Sequence, residues 1–152
     1  VACTSCGLCC TYVVLDIDAP TTLDAASTVL WYLYHPGLSI YTADGEWMVQ
    51  FDTRCKFLEP DNRCGIYETR PLVCRQFDER ECEVNSPDVG LSFYEPQAFL
   101  DWLAQHHKRV HTLLGKRYLP APSKLGAGPA NPRPLPPFQG RVRALRAQSH
   151  PG

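Results

Sequence analysis

Four cysteines crowd into the first ten residues, as Cys3, Cys6, Cys9 and Cys10 in a CxxCxxCC run, and this run constrains the fold more than any other feature. Two residues between cysteines let a tight turn aim both sulfurs at one ion. A third cysteine at the same interval adds a ligand with little further ordering of the chain. Gly7 suits such a knuckle, because without a Cβ it takes positive φ values and lets backbone amides turn towards the sulfurs.

The other four cysteines, Cys55, Cys64, Cys74 and Cys82, are close enough in sequence for one compact fold to gather all eight. Eight thiols suit two sites. Two separate four-thiolate sites, a cubane cluster beside a zinc ion, and a binuclear centre with bridging sulfurs all satisfy the spacing, which does not choose among them. The competing pattern is a disulfide framework of a secreted protein. Against it, Cys9 and Cys10 are adjacent and pair with each other only through a strained ring. The first residues also show no charged-then-apolar leader pattern. A reducing compartment, and hence a cytoplasmic location, is the expectation.

The apolar share, 44% with 11% aromatics, is ordinary for a globular chain with one modest core. The longest apolar stretches, such as residues 29–34, fall short of the roughly 20 residues that span a bilayer, so no membrane association is expected. The net charge of -1 conceals an asymmetry. Residues 119–152 carry Lys124, Arg133, Arg141, Arg143 and Arg146 and no acid, a charge of +5, which leaves 10 basic against 16 acidic residues before them. A folded part at -6 is a poor match for phosphate, so the core is not expected to bind nucleic acid.

The pattern predicts an α+β fold: a small, irregular, metal-organised domain with a short hairpin and several helices. Residues 11–17, rich in β-branched and aromatic side chains, read as a strand. A helix opens after Pro20 at Thr21 or Thr22 and stops at His35-Pro36-Gly37. Residues 38–42 and 46–51 flank Asp44-Gly45, a hairpin turn signal. Residues 58–63 form a turn-rich loop that folds Cys55 and Cys64 back on one centre. A short helix over 67–76, with Pro71 in its first turn, carries Cys74. A capping helix over about 96–118 shows Phe99, Trp102, Leu103, Val110 and Leu114 at helical spacing. The domain therefore spans 1–118. The remaining residues, 119–152, contain eight prolines and few large apolar groups, and read as an extended or disordered basic tail.

The run Cys3 to Cys10, the Cys55-Lys-Phe-Leu step, Cys64-Gly-Ile-Tyr and Arg70-Pro71-Leu-Val-Cys74-Arg75-Gln-Phe77 together resemble the YkgJ-type cysteine-cluster family. Its pattern is CxxCxxCC followed by CxIYxxRPxxCRxF, and the match covers residues 3 to about 77. The resemblance implies a zinc- or iron-chelating domain, often labelled an iron–sulfur protein, without a settled reaction. Cys82 lies outside the shared motif.

Arginines belong beside such a centre. Thiolates bind metal, so a four-thiolate site with a divalent ion carries -2 and two such sites carry -4. Donors and cations must offset that charge where it is buried. Arg70 and Arg75, both within the family pattern, are expected to flank the centre, whereas Arg54, Arg63 and their neighbours read as surface groups. His107 and His111 are four apart on a helix, yet no third ligand stands at a fitting spacing, and they read as solvated.

No phosphate-cradling glycine loop, serine nucleophile elbow or dinucleotide fingerprint is present. The expected function is therefore a metal-binding module with zinc or iron as cofactor and more than one ion. An iron–sulfur oxidoreductase or electron carrier is the alternative. A further alternative is an adaptor that recruits a protein partner through PRPLPP, residues 132–137, as a polyproline helix. Cys10 directly follows Cys9 and is followed by Thr11, unlike the bacterial ferredoxin run.

Overall fold

The computed structural model describes residues 6–77, 90–120 and 124. Four antiparallel strands form one sheet with helices on one face. In chain order the elements are β1 (Tyr12–Ile17), α1 (Leu23–Leu33), β2 (Leu38–Ala43), β3 (Glu46–Asp52), α2 (Leu72–Gln76), β4 (Ser92–Phe93), α3 (Pro96–His106) and α4 (Lys108–Arg117). Two 3₁₀ turns, Leu8–Cys10 and Tyr67–Thr69, lie at the cysteines and just before α2. This is the α+β architecture that the sequence predicts.

The strands stand in the order β1-β3-β2-β4. Asp44 and Gly45 both adopt positive φ, 52° and 82°, the geometry of a type I′ turn whose twist matches that of the strands it joins. β1 then pairs with β3, Val13 opposite Phe51 and Ile17 opposite Trp47. β4 adds a two-residue edge, with Phe93 opposite Ile40 and Ser92 opposite Tyr41. Nothing in the sequence reading anticipates β4, because a two-residue strand has no period to detect.

Register divides the sheet into two faces. Ile40, Trp47, Val49 and Phe93 point towards the helices and pack against Val29, Leu30 and Leu33 of α1, Phe99 and Leu103 of α3 and Leu114 of α4. Burial of these side chains is the main stabilising term. None of the described cysteines belongs to this core. The helix–sheet core is thus apolar throughout, and the described cysteines lie outside it.

α1 begins where Thr22 accepts a hydrogen bond from the Ala25 N–H at 3.2 Å, a conventional N-cap. The helix expected over 67–76 is divided instead. Arg70 takes ψ 150° and Pro71 ψ 159°, because a residue preceding proline is driven out of the helical region. A 3₁₀ turn therefore precedes the break, and α2 starts only at Leu72. The capping helix expected over 96–118 is likewise two helices, broken at His107, which takes φ -137° and ψ 59°. The bend lets α3 and α4 both reach α1 and bury Leu103 and Leu114 in one core. The basic tail falls outside the described residues from 121 onward, save for residue 124.

Candidate metal centre

The amino-terminal knuckle is dictated by Gly7. Its φ of 62° caps the turn Leu8–Cys10, and the Cys10 N–H donates to the Gly7 carbonyl at 3.1 Å. A Cβ on Gly7 would stand 2.9 Å from Leu58 Cδ1 and 3.2 Å from Asn62 Cβ. Only glycine therefore satisfies both the dihedral and the close approach of the second cysteine segment. Thr11 closes the turn, donating from its N–H at 2.8 Å and its hydroxyl at 2.6 Å to the Leu8 carbonyl.

Beyond the end of the β1–β3 ladder, pairing continues through the cysteines. The Thr53 N–H donates to the Thr11 carbonyl at 2.9 Å and the Cys55 N–H to the Cys10 carbonyl at 2.6 Å. Cys55 is thereby fixed beside Cys10. The chain then turns back on itself: Glu59 N–H bonds to the Arg63 carbonyl at 2.8 Å and Gly65 N–H to the Phe57 carbonyl at 2.8 Å, with Leu58 paired to Cys64. Asn62 makes the turn at φ 64°, a conformation asparagine tolerates. Buried Leu58 fills the space between this small hairpin and Gly7. Arg54 donates to the Leu58 and Glu59 carbonyls at 3.4 and 3.2 Å.

Cys74 comes from a third segment. It sits in the middle of α2, its N–H bonded to the Pro71 carbonyl at 3.0 Å. Arg75 staples α2 to the preceding 3₁₀ turn, donating from Nε to the Arg70 carbonyl at 2.9 Å and from Nη2 to the Glu68 carbonyl at 2.6 Å. Arg70 lies flat over Tyr67, 3.7 Å from the ring centroid, and its buried Nε has no hydrogen-bond partner in the structure.

Electrostatics place the sulfurs in one neighbourhood. Burial pushes the Cys10 thiol above its ordinary value; a side-chain hydrogen bond with Cys9 acts in the opposite direction, and charges on Cys55, Cys64 and Cys74 push it up further. Burial likewise raises Cys74, as do Cys55 and Cys64, while Arg70 favours its thiolate. Cys10, Cys55, Cys64 and Cys74, drawn from three separate segments, thus lie in one neighbourhood. Cys55 and Cys74 are exposed, and Cys6, Cys9, Cys10 and Cys64 are partly buried. No two of the six described cysteines are joined in a disulfide. Cys3 and Cys82 lie outside the described residues.

Among the described residues no three cysteine, histidine or carboxylate side chains already meet as ligands about one point. The thiols share a neighbourhood without forming a closed cage. Their chemistry suits a thiophilic ion: soft donors drawn from three segments of the chain, and an arginine beside one of them. His107 packs beside Trp102 with ring centroids 5.4 Å apart and is partly buried, as is His111. Both histidines, read as solvated, are thus partly buried.

These features define a thiol-rich site at the edge of a small α+β domain. A family model described as "CxxCxxCC: Putative zinc- or iron-chelating domain" matches residues 2–91, more than half the chain, and the chain belongs to that family. The match supports binding of zinc or iron. No curated protein and no solved structure matches the chain. Among the described residues no helix is long and apolar enough to cross a membrane.

Proposed function

We propose that residues 1–118 act as one metal-binding unit in which Cys3, Cys6, Cys9, Cys10, Cys55, Cys64, Cys74 and Cys82 hold zinc or iron as more than one ion. The observation that carries the reading is the convergence of three cysteine segments: the Cys55 N–H bonds to the Cys10 carbonyl at 2.6 Å, the small hairpin pairs Cys64 with Leu58, and Cys74 lies near Cys55 and Cys64. Burial, and then the neighbouring thiols, keep protons on Cys10 and Cys74, and an ion that replaces those protons relieves the cost. When bound, the ion holds these sulfurs as thiolates and supplies either a structural cross-link or redox chemistry.

The protein's own residues do the rest. Gly7 and Leu58 hold the two cysteine segments in contact, the Cys10–Cys55 backbone bond fixes their register, and Arg75 sets the angle at which α2 presents Cys74. Arg70 contributes positive charge beside Cys74, in the position from which it offsets an anionic thiolate centre.

The alternative of an electron carrier with an iron–sulfur centre draws support from the exposure of Cys55 and Cys74, which leaves one side of the site open to a redox partner. Elemental analysis with an optical spectrum of anaerobically isolated protein separates the two. Zinc without sulfide in colourless protein establishes a structural ion and removes the electron carrier; iron with stoichiometric sulfide and visible absorption does the reverse. Protein that binds neither metal overturns both.

A further inference from the structure

The two edges of the sheet are built differently. β4 closes one side with only two residues, which leaves little backbone for further pairing. β1 forms the other side, and among the described residues it pairs with β3 alone. Its six residues run opposite β3 one to one, from Tyr12 with Asp52 to Ile17 with Trp47, without a bulge. Edge strands are commonly blunted by lysine, proline, a bulge or brevity. β1 has none of these, and Asp16 is its one charged residue.

The ladder determines which backbone groups this edge offers. The Thr53 N–H donates to the Thr11 carbonyl, so the residues that exchange hydrogen bonds with β3 are the odd-numbered ones, Val13 with Phe51 and Leu15 with Val49. In an antiparallel ladder these alternate with residues whose N–H and C=O point the other way. Val14 and Asp16 therefore direct their backbone groups away from β3. The core-side surface of the same strand is apolar. α1 packs on β2 and α3 on β4, and β1 stands beyond them. Val13 and Leu15 share a face with fully buried Val49 by register, yet they are 50% and 53% exposed.

We propose that residues 13–16 form a seam between two copies of this chain, joining their sheets edge to edge with the β1 strands antiparallel. The strand is complementary to itself, which is what a twofold contact requires. With Val14 on the axis, the two Val14 residues exchange backbone hydrogen bonds, and each Val13 faces the partner's Leu15. The half-exposed side chains then cover one another. The same register keeps the two Asp16 carboxylates apart, whereas an axis at Asp16 would set like charges directly opposite. A seam one strand long is smaller than the roughly 1,200 Å² at which stable interfaces begin, so the dimer forms reversibly. The Cys10 residues of the two copies lie at opposite ends of the seam. Each thiol site keeps its own ligands, and the contact does not depend on metal.

The test is sedimentation velocity of the full chain in reducing buffer, from low to high micromolar concentration, with amide hydrogen exchange measured at both ends of that range. A reversible monomer–dimer equilibrium is expected. Dimerisation should slow exchange at the Val14 and Asp16 amides and leave Val13 and Leu15 unchanged. Leu15→Lys, at a half-exposed position, and Val14→Pro, which removes an outward N–H and no bond to β3, are each expected to weaken the dimer by roughly tenfold or more. Chelator-treated protein is expected to keep it. A monomer at every concentration, a dimer indifferent to both substitutions, or a dimer lost with the metal would overturn the proposal. So would Val14 and Asp16 amides already protected in the monomer, the result of pairing with another segment of the same chain.

Discussion

The Cys55 backbone N–H donates to the Cys10 carbonyl at 2.6 Å, and this bond joins two cysteine segments that lie 45 positions apart in the sequence. It extends the β1–β3 pairing past the end of the sheet. The strand register that builds the core therefore also aligns the thiol site, so the geometry of the site is inherited from the sheet.

Gly7→Ala is expected to weaken the site. The left-handed conformation costs a residue with a Cβ about 1–2 kcal/mol, and the added methyl meets Leu58 at 2.9 Å. Gly65→Ala is the control, because its Cβ would press on the flexible end of Glu59 at 2.9 Å, would meet the Phe57 carbonyl only at 3.4 Å, and Gly65 has no positive φ. Thermal melts and zinc competition should show a loss for Gly7→Ala and little change for Gly65→Ala. Equal behaviour of the two would contradict the assigned role of Gly7.

Leu58→Ala is expected to open the loop. Leu58 is 7% exposed and lies where the two cysteine segments touch, and truncating a buried leucine costs roughly 2–5 kcal/mol. Hydrogen exchange should accelerate at the amides of Glu59 and Gly65 while β2 and β3 stay protected. Uniform acceleration across the sheet would instead make Leu58 part of the main core.

Arg70→Gln and Arg75→Gln are expected to differ. The first removes the cation that favours the Cys74 thiolate; the second removes the two donors that hold α2 to the Glu68 and Arg70 carbonyls. Loss of groups that support metal ligands typically costs 10–100-fold in affinity. Chelator competition should show weaker binding in both, and Arg75→Lys should recover part of it while Arg70→Gln alone raises the Cys74 pKa further. Unchanged affinity in both variants would remove the arginines from the centre.

Metal-free protein is expected to lose stability in alkali. Cys10 and Cys74 have folded pKa values above the ordinary 9.0, so above that pH the unfolded chain gives up protons that the folded chain retains. The unfolded state then binds fewer protons, and stability falls as pH rises through the folded pKa values. Urea titrations between pH 7 and 11 should show this decline in the metal-free form and a smaller one when metal occupies the thiols. A rise in stability over that range would contradict the burial of these sulfurs.

The hairpin was legible because Asp44-Gly45 admits few turn types, and α1 because Thr22 and the apolar period mark its start and face. The Arg70-Pro71 break was written in the proline but lost beneath an attractive helical pattern over 67–76. The interruption at His107 carries no local signal; it arises because one straight helix cannot place both Leu103 and Leu114 in the same core. At the centre, cysteine spacing pointed to the thiols and the motif to both arginines. The small hairpin that returns Cys64 to Cys55, and the carbonyls that engage Arg75, depend on contacts across the fold that spacing does not encode.

Because the apolar core excludes the described cysteines, removal of metal is expected to loosen residues 53–77 while far-ultraviolet circular dichroism keeps the signal of the sheet and of α1, α3 and α4. Complete unfolding on chelation would show that the core depends on the centre.

X-ray absorption at the metal edge of the isolated full-length protein tests the central claim most directly. A shell made of sulfur, at about 2.3 Å if the ion is zinc, with scattering that diminishes in Cys10→Ser and Cys55→Ser variants, is the expected result. A shell of nitrogen or oxygen, or a metal content that ignores both substitutions, would contradict it.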